Sequence, residues 1–450
     1  MHRDLNGLAV TTGSATAAAA FDRLIASFLA SRADTPQHLA GALEADPSFG
    51  LAHCARGYLA AISFDETKRP VAAAAAKAAR QHTRFATARE RAHVEALDAW
   101  VAGDLCQAAL VWDQILAEHP RDVLAFRLAH FLHFWLSRPD RMLASVRAVA
   151  PHWDEDLPTW TTLLACECFA LEECGHYPEA EAAGRAAIAR DPSDLWAAHG
   201  VAHVLEMQGR REEGAAWIEE LHGHWRDANN LRHHLFWHAA LFHLENGDTG
   251  RVLALYDSAF RDLASPLTQA MPDLYIDVQN AASMLFRLGR LGVDVGARWG
   301  ELADKAEARI GDCLSAFTLP HWMMALCAEE RFAAAERMLD SLRAQAGGPG
   351  ESAAVLRRYA VPVCEAVLAH ARGAHARAVA LMRPALDGMH HLGGSHAQRD
   401  VLEQLYLDAA ERAGLKQDAR LLLERMAERW PVPPARRVGY ARAARRLGLA

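Results

Sequence analysis

Apolar and small residues recur along this chain with the three-and-four spacing of a helix, and no stretch alternates β-branched with polar residues as a strand would. The segment Gly175–Pro192, GHYPEAEAAGRAAIARDP, is the clearest case. Ala180, Gly184 and Ala187 fall on one face, where small side chains let two helices approach closely, and Pro192 stops the helix. The same phase returns after Gly103, Gly209, Gly247, Gly373 and Gly414, and Gly209 follows Gly175 by 34 residues. Degenerate copies surround Arg331–Leu342 and end at Asp46-Pro47.

A unit of about 34 residues, built of two antiparallel helices, is the tetratricopeptide pattern. The recurring glycine belongs in the turn between the helices, where a positive φ ends the first one at little strain. The chain therefore reads as all-α: a right-handed α-solenoid of tetratricopeptide-like helical hairpins, strongly curved around a concave inner face. A length of 450 residues would ordinarily suggest two or three domains, but stacked repeats extend one elongated core. Residues 1–450 read as a single repeat domain, with an irregular N-terminal segment 1–14 and a flexible loop near 343–352, RAQAGGPGES. Pro266–Pro272 reads as a second break.

Composition narrows the function classes. A net charge of −8 argues against a general nucleic-acid binder, which needs a basic face for phosphate. The C-terminal cluster Arg436, Arg437, Arg442, Arg445 and Arg446 reads as the solvated face of a capping helix. No run of about 18 apolar residues predicts a membrane span, and the start, MHRDLNGLAVTTG, lacks the apolar core of a secretory signal. The eight scattered cysteines, with no CxxC pair, read as reduced and mostly buried thiols. These features predict a cytoplasmic protein.

In such a solenoid the first helix of each hairpin lines the inner face. Counting back from Gly209 puts Trp196, His199, His203, Glu206 and Met207 there. At about 100° per residue, His203 lies about 40° from His199 and Glu206 about 20° on its other side. The next unit repeats the theme with His234, His238 and Glu245. Glu90, His93, His130, His133, Glu172, His321 and Met324 take inner or near-inner positions elsewhere.

Imidazoles, carboxylates and indoles on one concave wall suit a pocket for a small molecule or peptide. His-x3-His on a helix is also a bidentate metal arrangement, and His199, His203 and His238 would form a three-ligand site for a divalent metal. The rival reading is an enzyme, a metal-dependent hydrolase or a His/Glu acid–base catalyst, using the same groove. A third is a scaffold or homo-oligomer whose inner face is filled by its own terminal segments. No HExxH, nucleophile elbow, Walker loop or GxGxxG fingerprint accompanies these residues. In GMHHLGGSHAQRDVL, Ser395 and Gln398 form a capping-box pattern, and His396 with Arg399 beside a helix start would suit an anion.

The segments EADPSFGLAHCARGY, DLWAAHGVAHVLEMQGR, HHLFWHAALFHLENGD, FTLPHWMMAL and GGSHAQRDVLEQL resemble the tetratricopeptide repeat protein 38 family, from about residue 40 to 415. That resemblance implies a curved helical-repeat fold. It carries no settled activity and so no catalytic residues, but it places the histidine segments within family motifs.

Overall fold

The computed structural model describes residues 1–449. It is an all-α repeat fold in which helices alternate with short turns from Ala15–Leu29 to Ala441–Arg446. Contacts divide the chain into two compact units, Met1–Val201 with Glu220–Arg232, and Ala202–Glu219 with His233–Ala450.

The first unit stacks five hairpins. They are Ala15–Leu29 with Thr35–Ala45, Gly50–Ile62 with Arg69–His82, Ala88–Val101 with Leu105–Glu118, Val123–Trp135 with Pro139–Val149, and Trp160–Glu173 with Tyr177–Arg190. The second unit repeats the arrangement with Tyr275–Arg290 and Arg298–Ala308, Thr318–Ala328 and Phe332–Ala346, Val361–Ala371 and His375–Met382, and His396–Arg412 and Lys416–Arg429.

One turn joins most of these pairs. Gly175 has φ +81°, and the next amide, His176, bonds to the carbonyl of Leu171 at 2.9 Å. This bond from five residues back closes the Schellman end of a helix. It recurs after Gly103, Gly209, Gly247, Gly373 and Gly414, all at positive φ. Ser31, Ser137 and Glu330 adopt the same left-handed backbone with the same bond, although none is glycine. Their hairpins are therefore real but carry no glycine to mark them. Close approach of helices is equally direct at Gly184, where a Cβ would lie 2.5 Å from Val201 and 2.7 Å from the sulfur of Cys168.

Three local expectations change. The N-terminal segment holds a two-residue antiparallel pair, His2–Arg3 with Ala9–Val10, too short to show alternation in sequence. The stretch 343–352 is mostly helical, since Phe332–Ala346 runs into it and Gly350–Val355 begins again after Pro349. A short helix, Pro266–Ala270, occupies most of the second break. Five of the eight cysteines are buried. No helix among the described residues is long and apolar enough to cross a membrane.

Candidate functional site

The helix Leu195–Met207 starts where Pro192 and Asp191 end its predecessor. Ser193 bonds to Asp191, and the carboxylate of Asp194 accepts from the amides of Trp196 and Ala197, both at 3.0 Å. That cap fixes where the inner stripe begins. In the first unit Trp196 packs against Phe169 (4.8 Å between centroids) with the Arg127 guanidinium 4.2 Å over its ring. His199 is buried against Phe169 and Trp196, at 5.1 and 5.0 Å.

One turn further along, His203 and Glu206 belong to the second unit. The helix Leu231–Glu245 brings His234 and His238, also one turn apart, beside them. The rings of His203 and His238 lie 4.5 Å apart, those of His234 and His238 4.8 Å, and His234 stacks on Trp237 at 5.2 Å. A ring nitrogen from each of the three histidines comes within 4.8 Å of the other two. All three rings are buried. His238 Nδ1 bonds to Glu206 at 2.9 Å, and His234 Nδ1 bonds to the amide oxygen of Asn280 at 3.0 Å.

Burial governs the charges of this group. It pushes His234 and His238 down to about 3. It holds His203 far below the usual range, helped by His238 and His234. Burial also raises Glu206 to about 8, against the pull of Arg437 and Arg287. The imidazoles are thus neutral near pH 7, the state in which they bind metals.

Asn280 lies on Tyr275–Arg290, a helix whose stripe Asp277, Asn280, Ser283 and Arg287 is wholly buried. Asp277 meets His233 at 3.1 Å, Ser283 bonds to the carbonyl of Asn280 at 3.0 Å, and Arg287 bonds to the carbonyl of Ala397 at 2.9 Å and to Asp400 at 3.4 Å. Four polar residues on a helix look ordinary in sequence. Their burial at helical spacing was the missed signal.

The C-terminal segment completes the wall. Arg437 is buried, which corrects its reading as part of a solvated basic face, while Arg436, Arg442, Arg445 and Arg446 are exposed. Its guanidinium bonds to Asp400 at 2.9 Å and lies over Trp430 (3.7 Å) and Tyr440 (4.9 Å). Asp400 also accepts from Tyr440 (2.6 Å) and Gln404 (2.7 Å). Burial would raise this carboxyl, but Arg437 and Arg287 outweigh it and hold it below the usual range. The predicted Glu245 accepts from the amide of Val438 at 3.0 Å and pairs with Arg211 at 3.1 Å. Only about 20 Å³ remains between Glu206, Glu245, Arg287, Asp400 and Arg437, room for roughly one water.

The other expected ligand residues are engaged locally. His321 is buried with Nδ1 on the carbonyl of Phe317, at 2.9 Å. Ser395 and Gln398 form the capping box. Beneath it Arg399 folds back onto the carbonyl of Gly394 and onto His396.

The first unit has its own polar centre. Arg89 bonds to Asp122 (2.6 Å) and the carbonyl of Ala9 (2.8 Å), and His93 joins Asp122 to Tyr58 at 3.0 and 3.2 Å. Glu90 accepts from the amide and hydroxyl of Thr11, at 2.8 and 2.7 Å. His130 is buried among Phe126, Phe169 and Trp196. Burial, helped by Arg127, keeps it neutral.

No family model matches the chain. Among solved structures, a chain of the Naa15/Naa10 assembly bound to HypK-THB is similar at 12% identity and a TM-score of 0.26, over 96% of this chain and 73% of that one. At that level the fold assignment rests on the chain's own helices and turns.

Proposed function

We propose that this chain is a binding protein of the tetratricopeptide-repeat class, akin to the tetratricopeptide repeat protein 38 family, and that the inner wall of its second unit takes a peptide. The observation that carries this reading is how the wall holds the chain's own segment 430–440. Wall side chains bind its main chain at three successive places: Arg211 at the carbonyl of Arg436, Glu245 at the amide of Val438, and Arg290 at the carbonyl of Gly439. A fourth contact takes a side chain, Arg437, into the Asp400 site. Main-chain clamps plus one side-chain socket are the chemistry of peptide recognition. Val432 seats against Gly209, where any Cβ would come within 2.7 Å of it.

A small-molecule groove fits less well, because the remaining space accommodates roughly one water.

The test is competition. A fluorescent peptide of residues 431–442 is added to the full-length protein and to Arg437→Ala. In the wild type the tethered segment wins by effective concentration, so the variant should bind at least about 10-fold tighter. A peptide with alanine at the Arg437 position should not bind. A folded Arg437→Ala protein that ignores the peptide overturns the reading.

A further inference from the structure

We propose that His203, His234 and His238 form a binding site for a divalent first-row transition metal, with Zn2+ the best match. This goes beyond the peptide reading and stands or falls separately.

The argument begins with proton positions. The oxygen of Asn280 can only accept, so His234 must carry its proton on Nδ1 and its lone pair on Nε2. His238 makes its bond to Glu206 through Nδ1 as well. Because Nδ1 of each ring makes these bonds, Nε2 is the metal-binding atom of both. One ring nitrogen from each of His203, His234 and His238 lies within 4.8 Å of the other two. A tetrahedral zinc ion with Zn–N bonds of about 2.0–2.1 Å needs its nitrogens about 3.3 Å apart. Small side-chain rotations on two helices close that difference.

The surroundings match those of metal-binding imidazoles. Such rings ordinarily pass their other N–H to a carboxylate or amide oxygen, which fixes the tautomer and the ring plane. Glu206 and Asn280 occupy those two places, and Trp237 stacks on His234 to hold it. Nitrogen donors select zinc and its neighbours over calcium and magnesium, which prefer oxygen.

The experiment uses untagged full-length protein, stripped with chelator and then titrated with Zn2+ or Co2+. Elemental analysis reads stoichiometry, and visible absorption reads the cobalt geometry. One equivalent is expected, with the d–d bands of a tetrahedral nitrogen site. His203→Ala should abolish uptake, and His133→Ala, in the first unit, should not. Glu206→Gln should weaken affinity about 10- to 100-fold while the protein stays folded. A folded wild type that takes up neither ion overturns the proposal, as does uptake unchanged in Glu206→Gln. Should His203→Ala fail to fold, the cobalt spectrum of the wild type and the Glu206→Gln affinity decide.

Discussion

The two units bury histidines on equivalent inner helices and treat them differently. In the first, His93 has a hydrogen-bond partner on each ring nitrogen: Asp122 on one side, Tyr58 on the other. Arg89 balances the same carboxylate, and the N-terminal segment caps Arg89 and Glu90. In the second, three imidazoles lie against one another, and His238 and His234 bond through Nδ1 to Glu206 and Asn280. The first arrangement ties one ring to a carboxylate and a phenol, and the second brings three rings together. A buried histidine alone therefore says little. What distinguishes a structural ring from a candidate ligand is the direction of its second nitrogen.

The largest effect should come from breaking the first arrangement. Asp122→Ala leaves Arg89 and His93 buried beside a missing charge and should cost about 3–5 kcal/mol in urea denaturation. A loss below about 1 kcal/mol would mean the cluster is not a structural lock. The same carboxylate predicts acid sensitivity. Burial alone would raise Asp122, but His93 and Arg89 hold it well below its ordinary 3.8. A depressed folded-state pKa gives stability that is complete above about pH 4 and lost as the pH falls further. Urea midpoints across the acid range should show this slope, and Asp122→Asn should flatten it.

A smaller effect tests whether the units differ at their helix starts. Each has a capping box, Thr87 with Glu90 and Ser395 with Gln398. Thr87→Ala and Ser395→Ala should each cost about 1 kcal/mol. Equal losses confine the contrast between units to their polar centres. The smallest effect concerns the turns. Glu330 holds φ +52° where Gly175 holds φ +81°. Glu330→Gly should gain about 0.5–1 kcal/mol by relieving that strain, and Gly175→Ala should lose about 1 kcal/mol. Thermal unfolding of both variants reads the sign directly.

Much of the fold is legible in sequence because one turn recurs. Six glycines in phase, with Asp-Pro at two helix ends, announce the hairpins. The hairpin turning at Ser137 escaped, and the one turning at Ser31 read only as a degenerate copy, because a serine at positive φ looks like any serine. The histidine stripe was legible for a related reason: helical spacing alone places His203 with Glu206 and His234 with His238. Their partners were not. Asn280 is 46 residues from His234, and Asp400 is 37 from Arg437. Periodicity reports which face a residue occupies but not what a distant helix sets against it. That the terminal segments fill the inner face is one of the readings the sequence allows, but the contacts of 1–14 and 430–440 were not legible, since they run through single residues that show no period.

Chain order gives those two segments unequal histories during synthesis. Residues 1–14 exist before the helices that they cap, so the inner wall of the first unit can close as each hairpin leaves the ribosome. Residues 430–440 follow every helix that they cover. Until they emerge, Asp400 lacks its partner Arg437 and Glu245 lacks the amide of Val438. The wall of the second unit is thus completed only by one of the last segments to be made.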